Sequence, residues 1–334
     1  SGIYGAHAEG QNSNAEGRSA HAEGSDTTAS GKSSHAEGAN TKAHGSCSHA
    51  EGSGTTASGS YSHAEGGTTV ASGLYSHAEG SSTTASGSSS HAAGLHTIAN
   101  DYQYVIGCYN KESTAAGNPN GDRFIIGGGS ASAGSSNCFR VHSNGSVYGG
   151  QYNSSGADYA ELFEWADGNP EGTDRAGLFV TLDGDKLRIA GPEDSFVLGI
   201  VSAAPSVVGD VEDDQWHGMY LKDVFGRELM GPVEVPAITA PDGTVIVEAH
   251  QETGRQVNPE YRPEEPYLPR SSRPEWDAVG LLGKLVAVDD GTCQPNGWCA
   301  VGEGGTATAS EARTTYRVME RLDDHHIRVM ILPG

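Results

Sequence analysis

The sequence predicts an all-β protein in which a solenoid of short parallel strands precedes a compact, mainly antiparallel β domain. The first observation behind this prediction is a pentad, S-H-A-E-G or a close variant, that returns every 14 residues. The second is a weaker x-A-x-G phrase half a repeat later, so that a glycine closes every half-repeat. The third is a change of composition after Asn153, where aromatic residues rise and Asp-Gly turns separate apolar runs. The histidines of the pentads are His7, His21, His35, His49, His63, His77 and His91.

The repeat predicts a stacked architecture rather than a globular core. Helical heptads are excluded because they need two apolar residues in seven, and this stretch has almost none larger than Ala. A few strand residues followed by a Gly turn, twice in each repeat, describe one coil of a β-solenoid. Side chains alternate along a strand, so we expect His and Glu on one face and Ala inside the coil. Because an Ala-lined coil buries little apolar area, we expect three chains to associate side by side.

The remaining elements follow in chain order. Residues 1–108 are assigned to the repeat stem, 109–153 to a β-rich connector and 154–334 to the C-terminal domain. In that domain Asp183-Gly184 predicts a hairpin between two apolar runs. Residues 157–165 are the best candidate for a short helix. The predicted strands of the connector and the C-terminal domain include 123–127, 138–141, 178–182, 186–189, 196–203, 279–288, 316–322 and 327–332.

Composition and charge exclude several classes of function. The net charge of −23 argues against a nucleic-acid partner and against binding to an anionic membrane surface. There is no apolar run long enough to span a bilayer, so membrane insertion is not expected. No motif for a cofactor stands out, and none is expected. The chain begins Ser1-Gly2 without Met, which we interpret as the C-terminal part of a longer protein.

The repeat resembles the head of trimeric autotransporter adhesins, such as the YadA type, whose 14-residue S-V-A-I-G units form a left-handed parallel β-roll and a tight trimer. His and Glu stand here where that pattern has Val and Ile. The resemblance implies a trimer interior that holds layers of His and Glu rather than apolar residues. Such a polar seam must be internally paired or hydrated.

Three arrangements of this His/Glu column remain open. Pairing of His with Glu between chains satisfies both groups without an ion, and we expect this paired or hydrated seam. A metal on a threefold axis is the second arrangement, since three imidazoles in a layer suit Zn²⁺, Ni²⁺ or Fe²⁺. The third is a solvent-facing row. The candidates for axial metal ligands are His35, His49, His63 and His77.

A second resemblance covers nearly all of the C-terminal domain, from Ser154 to Gly334. Its motifs are residues 154–165, 199–209, 216–218 (Trp216-His217-Gly218), 269–276 and 279–284. They resemble the peptidase G2 family, the intramolecular chaperone domains at the C-terminus of phage tail-spike and neck-appendage proteins. The resemblance implies a domain that helps three chains align and fold, and then cuts itself away near its own N-terminus. A linked family of chaperones, found on phage endosialidases, cuts just before a Ser that is followed by Asp.

The residues offer a chemistry for such a cut. Cleavage of a peptide bond in cis needs a nucleophile, a base and stabilisation of the oxyanion, and Ser155 adjoins its own upstream carbonyl. If the chain turns helically after Gly156, Ser155, Asp158 and Glu161 fall on one face, where the two carboxylates can act as base and acid. Alternatively the carboxylates activate water directly, or Ser155 is only a helix N-cap. Because Ser154 and Ser155 are adjacent, the cut could fall before either serine.

The predicted function is therefore the C-terminal part of a phage or prophage tail-fibre or appendage protein, located in the virion. Its terminal domain would drive homotrimer formation and release itself in a single turnover, at or next to Ser155. The expected external partner is a host-cell receptor or glycan. The alternative is a bacterial surface adhesin whose terminal domain is only a trimerisation foldon. A glycan-degrading activity ranks third because the repeats offer only the Glu column.

Overall fold

The computed structural model describes residues 5–112, 121–211, 218–239, 245–264 and 266–332, so Ser1, Gly2, Trp216 and His217 lie outside the described residues. The chain divides into two compact units, Ser1–Tyr152 and Asn153–Gly334. The described residues contain strands and two short 3-10 turns but no α-helix, which confirms the all-β prediction. No helical segment in these ranges has the length and apolar character needed to cross a bilayer.

The first unit is a β-solenoid built from two parallel sheets. The pentads form the longer strands of one sheet, and the x-A-x-G phrases form two-residue strands of the other. The strands are β1 (His7–Gln11), β2 (Asn14–Ala15), β3 (His21–Ser25), β4 (Thr28–Ala29), β5 (His35–Ala39), β6 (Lys42–Ala43), β7 (His49–Ser53), β8 (Thr56–Ala57), β9 (His63–Ala64), β10 (Val70–Ala71), β11 (His77–Ser81), β12 (Thr84–Ala85), β13 (His91–Leu95), β14 (Ile98–Ala99), β15 (Tyr104–Cys108), β16 (Asp122–Gly128), β17 (Asn137–His142) and β18 (Val147–Gly149).

The repeat sets the register of this solenoid. Each strand pairs in parallel with the strand one repeat later, so His21 lies beside His35, Ala22 beside Ala36 and Glu23 beside Glu37. From Ala22 onward, the alanine after each pentad histidine and the alanine of each x-A-x-G phrase are fully buried and form the core, while the histidines from His21 onward are only half buried. The prediction of an Ala interior with His and Glu on the other face is therefore confirmed. Larger apolar residues enter the core only at its end, with Val105 and Ile125.

The parallel stack ends in an antiparallel meander. Strand β16 continues the stack in parallel with β15, and β17 and β18 then return in antiparallel pairing. Asp122, at the start of β16, is buried and pairs with the Nε2 of His142 at 2.6 Å and with Arg140. Two basic partners offset the charge of this buried carboxylate, so the cluster ties β16 to β17.

The second unit is built around a curled, mainly antiparallel sheet. Its strands are β19 (Asp158–Glu164), β20 (Phe179–Asp183), β21 (Lys186–Ile189), β22 (Gly199–Val201), β23 (Val207–Gly209), β24 (Met230–Val235), β25 (Ile238–Thr239), β26 (Val245–Val247), β27 (His250–Arg255), β28 (Trp276–Val288), β29 (Trp298–Val301), β30 (Ala307–Ser310), β31 (Tyr316–Arg321) and β32 (His326–Ile331). The 3-10 turns are Arg270–Ser272 and Glu303–Gly305.

The 13-residue strand β28 joins the two halves of this sheet. Its first part pairs with β19 and β22, and its last part, from Lys284 to Val288, pairs with β32. Two apolar clusters pack on the sheet, one around Phe179 and Tyr316 and one around Trp165 and Leu187. The N-terminal residues of the unit are therefore tied to its most central strand.

The predicted helix at residues 157–165 is wrong, because this segment is strand β19. Seven residues of β19 pair with β28, and three of them also pair with β23. Ala160 and Leu162 are buried on one face, so the period is that of a strand. The backbone ladder from distant strands outweighs the local preference for a helical turn.

Candidate functional site

The tandem serines lie in an irregular segment just before β19. Ser154 and Ser155 are both exposed. The Ser154 hydroxyl accepts a hydrogen bond from the Gly156 amide at 3.2 Å and lies 3.5 Å from the Ser206 carbonyl oxygen. A Cβ on Gly156 would stand 2.6 Å from the Cα of Ser206, so only glycine fits this close approach. The segment is thus held on one side while its serine side chains stay accessible.

The residues that follow are fixed by backbone hydrogen bonds on two sides. The amide of Lys284 donates to the Ala157 carbonyl at 3.1 Å, and the amide of Ser206 donates to the Asp158 carbonyl at 3.0 Å. Gly283 has a φ of +111°, and a Cβ there would stand 2.2 Å from the Ala157 oxygen. These contacts place Asp158 firmly at the start of β19.

Asp158 is the buried carboxylate of the site. Its residue is 7% exposed, and its Oδ2 has no hydrogen-bond partner within the described residues. It lines a cleft of about 450 Å³ together with three basic side chains, Lys284, His326 and Arg328. His326 pairs with Asp323 at 2.9 Å, and Arg328 pairs with Glu320. The open lone pair of Asp158 can accept a hydrogen bond from a group that enters the cleft.

Glu161 does not join Asp158 on one face. Side chains three apart in a strand point to opposite faces, and Glu161 is half exposed and accepts a 2.5 Å hydrogen bond from the Tyr159 hydroxyl. This hydrogen bond raises the pKa of Tyr159. The prediction that Ser155, Asp158 and Glu161 share a helical face is therefore wrong, and Asp158 is the carboxylate that lines the cleft.

Sequence reasoning missed the basic side of this cleft. Lys284 is the last residue of the motif at 279–284, but no sequence pattern predicts that it lies next to Asp158. The register of β28 does so, since Asp158 pairs with Gly283. Ser206 was likewise missed, although it lies inside the motif at 199–209.

The other polar assembly is the His/Glu column of the solenoid. The imidazoles of His21, His35, His49 and His63 stack with ring centroids 4.8 Å apart. From Glu37 onward each carboxylate reaches the histidine of the next coil, with Glu37 Oε1 3.3 Å from His49 Nε2. The same contact is 3.2 Å for Glu51 with His63 and for Glu65 with His77. The pairing of His with Glu thus occurs within one chain.

We expect this column to make the protein less stable in acid. Burial lowers the pKa of His35 and of His63 below 6.5, and neighbouring histidines lower both further. The folded chain then binds fewer protons than the unfolded chain, so stability is complete above about pH 6.5 and falls as the pH drops below it. The groups facing these two histidines are His21, His49, His77, Glu23, Glu37, Glu51 and Glu65.

Thermal unfolding at pH 8 and pH 5, with EDTA present, measures this effect. A lower Tm at pH 5 is expected, and the His35→Gln/His63→Gln variant should show a smaller difference. Equal Tm values for the wild type at both pH values would refute the prediction. Surface carboxylates with a lowered pKa, such as Asp194 at about 2, titrate below pH 5. They therefore contribute little to the difference in Tm between pH 8 and pH 5.

Comparison with known proteins identifies a family for the C-terminal part of the chain. A family model described as Peptidase G2, IMC autoproteolytic cleavage domain, matches residues 112–325. The chain is 36% identical over 135 residues to the pre-neck appendage protein of Bacillus phage B103, covering 40% of this chain and 14% of the relative. It is 32% identical over 182 residues to the preneck appendage protein of Bacillus phage PZA, covering 53% of this chain and 19% of the relative. It therefore spans less than a fifth of the length of these relatives.

A solved structure shares the fold. The pre-mature bacteriophage phi29 gene product 12 is similar with a TM-score of 0.58 at 20% identity, covering 99% of this chain and 39% of that chain. The family match confirms the resemblance seen in the motifs, and its range includes Ser154, Ser155, Asp158 and Lys284. The chain belongs to the Peptidase G2 family of IMC autoproteolytic cleavage domains.

Proposed function

We propose that the chain is part of a phage or prophage appendage protein. Its 154–334 domain would bring three chains together, fold the solenoid and then cut itself off. The observation that carries this proposal is the position of Ser154 and Ser155 along the chain. Ser154 and Ser155 lie directly after the boundary between the two compact units, at Tyr152 and Asn153. A cut there separates one whole unit from the other, which is what a detachable chaperone requires.

The relatives support a virion component. The proteins from phages B103 and PZA are pre-neck appendage proteins by name, and the similarity to them covers about half of this chain or less. The net charge of −23 agrees with an exposed extracellular fibre rather than a nucleic-acid-binding protein. In this setting the external partner would be a receptor or glycan on the host cell.

The core of the solenoid supports a homotrimer. Alanine supplies nearly all of its buried apolar surface up to Val105, so each coil gains little from folding alone. The His/Glu face is half exposed in the single chain and is the face that corresponds to the trimer contact in the adhesin heads. Three chains that pack along this face would cover the column and close the fibre.

The cleavage step assigns roles to Ser155 and Asp158. The Ser155 oxygen attacks the carbonyl carbon of Ser154, and its proton passes to the Asp158 carboxylate. Asp158 then gives this proton to the peptide nitrogen of Ser155, which leaves as the free amine while an ester forms. Water then hydrolyses the ester, so the net reaction is hydrolysis of one peptide bond. The basic cleft of Lys284, His326 and Arg328 offers charge for the developing oxyanion. Because the substrate is a segment of the same chain, the domain acts only once.

Intact mass spectrometry of the wild-type protein under denaturing conditions tests the proposal. We expect two fragments whose masses sum to the 34.5 kDa of the chain plus one water. The N-terminal residue of the second fragment identifies the bond, with Ser155 expected and Ser154 as the neighbouring register. A chain that assembles as a trimer and is never cut would contradict self-cleavage and favour a trimerisation foldon.

A further inference from the structure

Three triplets of His, Glu and His follow one another along the solenoid. In each, two imidazole nitrogens and one carboxylate oxygen lie within 4.8 Å of one another. Successive triplets come from successive coils, because the repeat holds every histidine and glutamate in register. The triplets are His35-Glu37-His49, His49-Glu51-His63 and His63-Glu65-His77.

The spacing within a triplet is close to that of a tetrahedral metal site. Bonds of about 2.1 Å to nitrogen and oxygen place two tetrahedral ligands about 3.4 Å apart. The contact between carboxylate and imidazole is already 3.3 Å for Glu37 with His49 and 3.2 Å for Glu51 with His63. The nitrogen of the second imidazole lies within 4.8 Å of the other two ligand atoms. It must therefore approach them by at most about 1.4 Å to reach the tetrahedral spacing. Rotation of a half-exposed histidine side chain supplies this movement.

Hydrogen bonding within the chain does not satisfy His35, the first histidine of the three triplets. The Nε2 of His35 is shielded from solvent and has no hydrogen-bond partner within the described residues. Its contact with Glu23 Oε1 is 3.8 Å, which is too long for a hydrogen bond. The strongly negative chain also raises the local concentration of cations. A cation held by the triplet would give this nitrogen a partner.

We propose that the column binds divalent transition-metal ions of the zinc class, one ion to a His-Glu-His triplet. Two imidazoles and a carboxylate suit Zn²⁺, Co²⁺ or Ni²⁺, whereas Mg²⁺ and Ca²⁺ prefer oxygen ligands alone. The middle triplet shares His49 with the first triplet and His63 with the third. When ions occupy the first and third triplets, both histidines are already used and the middle triplet stays empty. All the ligands of a site come from one chain, and the site does not depend on cleavage.

Co²⁺ titration of the full chain, followed by equilibrium dialysis and visible d–d absorption, tests the proposal. The background carries Cys47→Ser, Cys108→Ser and Cys138→Ser, since these accessible or partly accessible thiols would also bind the probe. We expect Glu51→Gln to bind as many ions as the parent. The Glu37→Gln/Glu65→Gln variant keeps only the middle triplet and should bind one ion fewer. The triple Gln variant should bind two fewer.

Circular dichroism of each variant verifies that the strands are retained. Excess Mg²⁺ should not displace the Co²⁺ from the parent protein. The proposal is overturned if the triple Gln variant binds as many ions as its parent, if Mg²⁺ competes effectively, or if the parent binds no Co²⁺ at the column. It is also overturned if Glu51→Gln loses an ion while Glu37→Gln/Glu65→Gln does not.

Discussion

Replacement of Ser155 by Ala is expected to leave the chain whole at 34.5 kDa, whereas the wild type divides into two fragments. The substitution removes the hydroxyl that attacks the preceding carbonyl and changes little else, because the Ser155 side chain is exposed. A denaturing gel with intact mass measures the result. If Ser155→Ala is cut at the wild-type rate, water rather than Ser155 attacks the bond, and the nucleophile assigned above is wrong.

Two carboxylate variants form a matched pair for the same reaction. Asp158→Asn removes the proton acceptor at the cleft, and we expect cleavage to slow by about 100- to 10,000-fold. Glu161→Gln, on the opposite face and bonded to Tyr159, should change the rate far less. Time courses on the same gels give both rates. A slower reaction for Glu161→Gln than for Asp158→Asn would reverse the assignment.

Substitution of the glycine that ends each pentad should destabilise the solenoid, because this position combines a positive φ with a close approach of the next coil. Gly66 has a φ of +99°, and a Cβ there would stand 2.2 Å from the Gly80 carbonyl oxygen. We expect Gly66→Ala to lower the free energy of unfolding by roughly 2–4 kcal/mol, from backbone strain and the clash with the next coil. Thermal and denaturant unfolding followed by circular dichroism measure this loss.

The adjacent Gly67 is the matched control. A Cβ at this position meets nothing within 4 Å, and the corresponding residue in the other repeats carries a side chain, as at Ser53 and Ala39. Gly67→Ala should change the free energy of unfolding by less than about 1 kcal/mol. Equal losses for the two variants would mean that the coils do not stack with the spacing described.

The solenoid could be predicted from the sequence because its contacts repeat with the sequence. Ala22 packs beside Ala36 for the same reason that His21 lies beside His35, so one repeat describes all of them. The longer apolar strands of the second unit were also predictable, as in the pair Tyr316–Arg321 and His326–Ile331. Local pattern alone specifies these elements.

The strand at Asp158–Glu164 could not be predicted, because its partners are distant in sequence. Its backbone hydrogen bonds are made mainly with β28, more than a hundred residues later in the chain. The helix propensities of its Ala, Glu and Leu residues favour a helix instead. The cleft depends on the same pairing, which brings Lys284 to Asp158, and on the pairing of β28 with β32, which adds Arg328. The motif located the site, but the register of β28 determines which carboxylate lines the cleft.

Deletion of residues 153–334 tests most directly whether the thin coils need a second unit in order to fold. The shortened chain, the wild type and Ser155→Ala are expressed side by side and examined by light scattering after size exclusion and by circular dichroism. We expect Ser155→Ala to form an uncut trimer and the shortened chain to be insoluble or unfolded. A shortened chain that is soluble, monomeric and rich in β-structure would contradict the role of the C-terminal domain as the agent of assembly.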